Sequence, residues 1–357
     1  MHVLRTAAIF TVTVLGSVTY AQNVSIGVLG LFHPQQLTVT APPGVALTVH
    51  SGEQTFVLES SSGVAAAHIR CSGSSSLVEV GSRTIHTTDL WVSGREGSPT
   101  FLVLAVPGKI SRRYQGTLHV KAISGALVPI VTMDLEAAVA SVLAAETTAD
   151  TPLEALKAQA IATRSYLVAG TGRHRNFDFC DTTHCQFLRE LPAPESPPVK
   201  ATSNTRGLVM TYNSHPFPTM YTRSCRGQTR TPAEVGLPVA SYPYYSVDCK
   251  FCREHPSHWQ SRISADKASA LRPSNENARL EIDRRLGWNA IQSNDFTLKQ
   301  EGDQGSLAGT GQGHGIGLCQ AGAKAMAVEG ASFRQILSHY YPNTAVVSFA
   351  QNVAAAR

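Results

Sequence analysis

The chain has 357 residues, 43% of them hydrophobic and 15% charged, with a formal net charge of +5. That is enough apolar material for one large or two modest buried cores. The positive charge is spread along the chain, which excludes a nucleic-acid footprint such as a basic arm and remains compatible with an anionic polymer as partner.

Arg5, the apolar run from Thr6 to Val18 and the small-residue step Thr19-Tyr20-Ala21 before Gln22 predict a secretory signal peptide over residues 1–21. The run is too short for a spanning helix, with an uncleaved anchor as the alternative. No other segment has the length to span a bilayer. The mature chain is therefore expected to be soluble and exported, to the periplasm, the cell envelope or the medium. Residues 22–126 read as a β-rich region. Short alternating runs such as Gln36-Leu37-Thr38-Val39-Thr40 and Thr55-Phe56-Val57-Leu58 are broken by Gly, Pro and Ser. Thr117–Ala122 and Leu127–Val131 predict a hairpin that leads into a helix.

Within that helix one residue stands out. At about 100° per residue, Glu146 projects roughly 20° from Leu135 and Val139 and roughly 40° from Val142, on the apolar face, while Glu136 projects away from it. A carboxyl in apolar surroundings has its charged form disfavoured, which makes Glu146 a candidate proton donor near neutral pH. A helix-end or salt-bridged glutamate is the plainer reading. Thr151-Pro152-Leu153-Glu154 then has the form of a capping box and predicts a second helix. Its stripe is Leu153, Leu156, Ala160, Leu167 and Val168, with Lys157, Gln159, Arg164 and Tyr166 off it.

His174, Cys180, His184 and Cys185 gather two imidazoles and two thiols in a dozen residues, the ligand set of a closed tetrahedral zinc site. A Cys180–Cys185 disulfide is the alternative, although it explains neither histidine. Residues Pro192 to Pro198 predict a surface loop, followed by strands near Gly207–Tyr212 and Pro218–Thr222. Cys249-Lys250-Phe251-Cys252 with His255 and His258 is a second, weaker cluster. Pairing of Cys225 with one of these thiols, or a bond within the C-x-x-C, competes with metal there. Seven cysteines leave at least one unpaired or metal-bound. A helical stretch near Ala278–Leu286 precedes Gly311-Gln312-Gly313-His314-Gly315-Ile316-Gly317, whose alternating glycines let a ligand approach the backbone; a tight turn with a hydrogen-bonded His314 is the alternative. Cys319 reads as a buried thiol rather than a nucleophile. A second capping box, Ser332-Phe333-Arg334-Gln335, opens the last helix.

Several separated blocks carry a resemblance. Ala144-Ala145-Glu146, Pro152–Ala160 with Ala162-Thr163-Arg164-Ser165-Tyr166, Cys180–Gln186, Ser224-Cys225-Arg226-Gly227-Gln228-Thr229, Gly311–Gln320 with Gly322-Ala323, and Ile336–Tyr341 resemble, in order, the stage II sporulation protein D (SpoIID/LytB) family. The chain departs from the family where Cys225-Arg226-Gly227 replaces Cys-Gly-Gly and where Cys319-Gln320-Ala321-Gly322-Ala323 replaces Ser-Gln-Tyr-Gly-Ala. The resemblance implies an α+β, SpoIID-like catalytic fold over residues 127–345, with the β-rich region before it, helices carrying the active-site glutamate, and a tail over 346–357. It implies a lytic transglycosylase, a glycan-cleaving lyase of cell-wall remodelling and sporulation, acting on peptidoglycan glycan strands. In it Glu146 is catalytic; Lys157, Gln159, Arg164, Tyr166, Ser224 and His314 position substrate; and His174, Cys180, His184 and Cys185 hold a structural zinc ion. The LytB branch implies an alternative, a non-catalytic wall-binding protein that stimulates a cell-wall amidase or acts with other envelope proteins.

Overall fold

Alternation in the first third of the chain becomes a set of strands whose apolar residues turn inward, as in Gln36–Thr40, where Leu37 and Val39 are buried. The computed structural model describes residues 22–349 apart from 239–241, 265, 267, 269, 270, 272–274 and 288. The expected signal peptide and residues 350–357 of the expected tail lie outside the described residues. Twelve strands form one hydrogen-bonded system. Its pivot is the strand Ile110–Ile123, which pairs with Thr100–Val106 through residue 116 and with Ala126–Asp134 from residue 117 onward. Gly116 sits where the partners change, and a Cβ there would run into the Thr132 carbonyl. Side chains from both ladders, among them Val39, Val49, Leu104 and Leu118, share one core.

The expected hairpin forms, with Ile123 opposite Ala126 and positive φ at Ser124 and Gly125, the backbone that a two-residue turn between right-twisted strands requires. Its second strand, Ala126–Asp134, also pairs with Asn23–Gly27. The β-rich part therefore runs on to Asp134, past the boundary expected near residue 126. Helix α1 follows at once (Leu135–Glu146), capped by the Asp134 carboxylate, which accepts from the amides of Glu136 and Ala137.

Helix α2 (Leu153–Ala169) begins without the capping box expected from its sequence. Pro152 occupies the cap, the Thr151 hydroxyl lies by that of Thr148 at 3.2 Å, and Glu154 is drawn to Lys157 and to the amide of Phe333. A tertiary partner, the N-terminus of the last helix, outcompetes the local cap. The Pro-rich stretch ends not in a loop but in helix α3 (Pro197–Asn204), because proline is tolerated in a first turn whose amides need no partner. Helices α4 (Lys250–Glu254), α5 (Glu276–Leu286), α6 (Gln320–Val328) and α7 (Phe333–Tyr340) complete the described set, and α7 carries the capping box expected from Ser332 and Gln335.

One face of α2 joins a second core with Tyr242, Leu318, Leu337 and Tyr341. A third, smaller core lies under the three-stranded sheet His258–Ser264, Gln304–Thr310 and Phe296–Glu301. The first residues of the expected tail belong to the fold, since Ala345–Ser348 pairs with Leu208–Tyr212. The strands up to Asp134 precede every α-helix, and from Leu135 onward helices and short strands alternate, an α+β mixture. Among the described residues no helix is long and apolar enough to cross a membrane.

Candidate active site

Glu146 is the last residue of α1, where the helix stops because Thr147 turns extended and its hydroxyl caps the Leu143 carbonyl at 2.7 Å. The carboxyl lies against protein, and burial pushes its pKa up to about 7; the amide of Phe187, at 3.0 Å from Oε1, and the cations Arg223 and Arg189 pull the other way. Burial wins, so near neutral pH the group is divided between its acid and its base. Gln320 holds the end of the same helix by donating to the Glu146 carbonyl at 3.3 Å.

Unpartnered polar atoms lie on the segments beside this carboxyl: helix α2, the Phe187 loop and the Tyr221 strand. Tyr221 is close enough for Glu146 to help keep its phenol protonated, after burial itself. Its buried hydroxyl faces that of Thr163 without reaching hydrogen-bond geometry. Gln159, one turn before Thr163 on the same face of α2, has a buried Nε2 without a partner, and Gln186, beside Phe187, has both amide atoms unpartnered. Five of the nine such atoms among the described residues are these. A folded core satisfies its polar groups, so a concentration of orphans marks a place built to receive polar atoms from outside the chain.

The residues expected to position substrate divide. Gln159 belongs to that group of orphans. Arg164 does not: it is wholly buried and spends its donors on both Glu136 oxygens (2.9 and 2.6 Å) and on the carbonyls of Leu208 and Thr202. It is a structural ion pair, formed because Glu136 faces α2 and not solvent. Lys157 is engaged by Glu154 at 2.6 Å and lies over the Phe333 ring, toward α7. Tyr166 is buried against Phe179 with its hydroxyl beside Cys185. Ser224 is buried, its backbone paired with Gln312 and its hydroxyl between the Cys225 carbonyl and Cys252.

His314 accepts from the Ile316 amide through Nδ1 at 3.0 Å, which leaves the proton of the neutral ring on Nε2, facing the Tyr221 carbonyl. Burial lowers its pKa, with Glu276 opposing. Gly311, Gly313, Gly315 and Gly317 all have positive φ, from 70 to 93°. The loop they form is laced to the Tyr221 segment: Thr222 Oγ1 accepts from the Gly315 amide and donates to the Gln312 carbonyl.

His174 Nε2, Cys180 Sγ, His184 Nδ1 and Cys185 Sγ lie within 4.8 Å of one another, with His174 at 3.2 Å from Cys185 and His184 at 3.7 and 3.5 Å from the two sulfurs. Ligand bonds of about 2.0 to 2.3 Å give a tetrahedron with edges of roughly 3.3 to 3.8 Å, so this group could hold a metal ion. Its loop is pinned from below. Phe179–Cys180 pairs with Ile26–Gly27, Asp178 accepts from Ser25 at 3.1 and 2.6 Å, and Asp181 accepts from the Leu29 amide at 3.0 Å. Two residues beyond Cys185 comes Phe187, whose amide reaches Glu146.

The second cluster differs from its expectation. Cys249 and Cys252 meet Cys225 and Cys319, while His255 turns to the Phe251 carbonyl and His258 to Thr310. Sequence reasoning missed Thr163, Gln186, Tyr221, Arg189 and Arg223. Gln186 and Thr163 lay inside quoted motifs, but nothing local distinguishes them from core residues.

The family model for SpoIID, described as stage II sporulation protein, matches residues 124–212, the segment that holds α1, Glu146, α2 and the Cys/His cluster. An uncharacterized protein of Brachyspira hyodysenteriae is 26% identical over 270 residues, 66% of this chain and 73% of that protein. Stage II sporulation protein D of Bacillus amyloliquefaciens is 26% identical over 253 residues, 58% of this chain and 72% of that protein. The amidase enhancer of Bacillus subtilis is 39% identical over 69 residues, 19% of this chain and 10% of that protein. The match of residues 124–212 to the SpoIID model and the matches to two proteins named stage II sporulation protein D support kinship with the SpoIID family over the segment that carries the Glu146 helix and the Cys/His loop.

Proposed function

We propose that the protein is an exported lytic transglycosylase that cleaves peptidoglycan glycan strands between N-acetylmuramic acid and N-acetylglucosamine. The observation that carries the reading is a single carboxyl, its pKa raised to about 7 by burial, with unpartnered buried polar groups on the segments beside it. Protonated Glu146 gives its proton to the bridging oxygen as the C1–O4 bond breaks. The carboxylate left behind is stabilised by the Phe187 amide and by Arg223 and Arg189. It then takes the proton of the muramoyl C6 hydroxyl, whose oxygen closes on C1 to leave a 1,6-anhydro end. Water is not consumed and one carboxyl serves both steps, unlike hydrolysis with paired carboxylates. The two charged side chains that bear most on Glu146 are cations, which suits this economy.

Zinc is the ion proposed for His174, Cys180, His184 and Cys185. Four protein ligands close its coordination, so it contributes stability rather than activated water. This chain's residues do the rest, carrying Phe187 from that loop to Glu146. A second reading, stimulation of a partner amidase at the cell wall, is favoured by the 69-residue match to an amidase enhancer. Purified protein incubated with stem-peptide-free glycan strands separates the two. Mass spectrometry finds 1,6-anhydro products if the protein is a transglycosylase; absence of product together with faster amidase turnover would replace the first reading by the second.

A further inference from the structure

Four cysteines outside the Cys/His loop come from three separate stretches of chain. Cys225 follows the short strand Tyr221–Thr222, Cys249 and Cys252 flank the first turn of α4, and Cys319 is the N-cap of α6. All four are between 0 and 2% exposed, and their sulfurs lie within 4.8 Å of one another, with Cys252 and Cys319 at 3.5 Å. Four thiolates around one ion with bonds of about 2.3 Å sit about 3.8 Å apart along each edge. An iron–sulfur cube would stand between its ligands and spread them further than a lone ion does.

Two backbone amides donate to one of these sulfurs, and a hydroxyl lies within hydrogen-bond reach of each of two others. The amides of Cys225 and Gly322 point at Cys319 Sγ at 3.3 and 3.5 Å, the Tyr340 hydroxyl lies 3.4 Å from Cys249 Sγ, and the Ser224 hydroxyl 3.5 Å from Cys252 Sγ. N–H and O–H groups aimed at sulfur are what a buried metal thiolate requires of its neighbours. Gly322 is needed for the fit, since a Cβ there would come within 2.5 Å of Cys249 Sγ and collide with the Tyr340 hydroxyl. A cavity of about 200 Å³, lined by Gly322, Met326 and Tyr340 among others, reaches one of the four, Cys249.

We propose that Cys225, Cys249, Cys252 and Cys319 form a second, closed tetrahedral site for one thiophilic divalent cation, zinc. The site staples α4 and α6 to the segment that carries Tyr221 and Arg223. Arg223 lies two residues before Cys225, and Gln320, which holds the end of α1, follows Cys319 directly. The Cys/His loop supports Glu146 from the Phe187 side; the four-cysteine site supports it from the other.

The test uses the full mature protein purified without chelator. Metal analysis finds about two zinc ions per chain, and the thiols of this site resist alkylation until zinc is removed. A His174→Ala/Cys185→Ser variant retains about one zinc; with cobalt(II) in its place, this variant gives the intense charge-transfer bands of an all-thiolate tetrahedral site. Cys252→Ser/Cys319→Ser also retains one ion, and its cobalt(II) form gives only roughly half that charge-transfer intensity, from the two thiolates of the Cys/His loop. Should either variant fail to fold, the wild-type stoichiometry and alkylation pattern decide. Non-reducing peptide maps placing these four cysteines in two disulfides would overturn the proposal, as would one zinc per wild-type chain with these thiols freely alkylated in folded protein.

Discussion

The amide of Phe187 donates to Glu146 Oε1 across 3.0 Å, so the loop that gathers the two histidines and two cysteines also touches the candidate proton donor. That contact favours the carboxylate, and burial opposes it more strongly. The balance leaves a group able to give a proton and to take one back at the same pH.

Glu146→Gln keeps the shape of the side chain and removes the transferable proton. Release of anhydro-muropeptides from defined glycan strands is expected to fall by about 10² to 10⁴-fold, with wall binding and the circular dichroism spectrum kept. Undiminished release would remove Glu146 from the chemistry.

The same variant predicts a pH signature. The folded pKa of about 7 exceeds the ordinary 4.5, so the folded state holds the proton more tightly than the unfolded one. Stability from this group is fully present below pH 4.5 and is lost as pH rises through 7. Denaturant titrations are expected to show wild type losing on the order of 1–3 kcal/mol relative to Glu146→Gln between pH 4 and pH 8. Parallel curves would contradict the burial of the carboxyl. The proposed transglycosylase activity, which needs the acid form first, is expected to decline above about pH 7 on the same basis.

Tyr221→Phe deletes a buried hydroxyl that has no partner among the described residues. Removing such a group is expected to raise stability by about 1 kcal/mol and, if the hydroxyl meets substrate, to lower turnover at the same time. Opposite movement of melting temperature and rate is the check; unchanged turnover would make Tyr221 a packing residue.

Arg164→Ala leaves the Glu136 carboxylate buried without its cation. A loss of about 3–5 kcal/mol is expected in chemical denaturation, while activity per folded molecule stays near wild type. A variant that stays stable but loses glycan affinity would instead restore Arg164 to the substrate.

An ion in the Cys/His loop, as proposed, would tie down the chain between Phe179 and Phe187, and its removal would free it. His174→Ala is expected to lower the melting temperature and to lose about one of the two proposed zinc ions per chain by metal analysis, and exhaustive chelation to lose both. The pH dependence of Glu146 should shift with it, since the Phe187 amide is no longer held in place.

What the sequence makes legible is local. Helical projection puts Glu146 on the packed face because Leu135, Val139 and Val142 lie within three turns of it, and the Cys/His cluster is readable because its ligands fall within a dozen residues. The same projection turns Glu136 away from the stripe without telling that Arg164, 28 positions on, would meet it there. The four-cysteine group is harder still: Cys252 and Cys319 are 67 residues apart, and Cys225 and Cys319 are 94 apart. The capping box at Thr151 fails for a related reason, since Glu154 finds the Phe333 amide 179 residues away. The glycines around His314 signal close approach correctly, yet a groove and a turn call for the same residues. With φ of 79° at Gly315, a valine there strains the backbone whichever is true.

The pairing of Ile26–Gly27 with Phe179–Cys180, reinforced by Ser25 and Asp178 at a separation of 153 residues, bears on the order in which the molecule assembles. The first strand of the β-rich part keeps one edge open until residue 180 arrives, and the thiol of Cys180 has no fixed position until that strand receives it. Such a long-range closure comes late in folding, after the local hairpins and helices have formed. Capture of the ion proposed for the Cys/His loop would then be a closing step of the whole fold, and a chain starved of metal is expected to stall with its earliest strand still exposed.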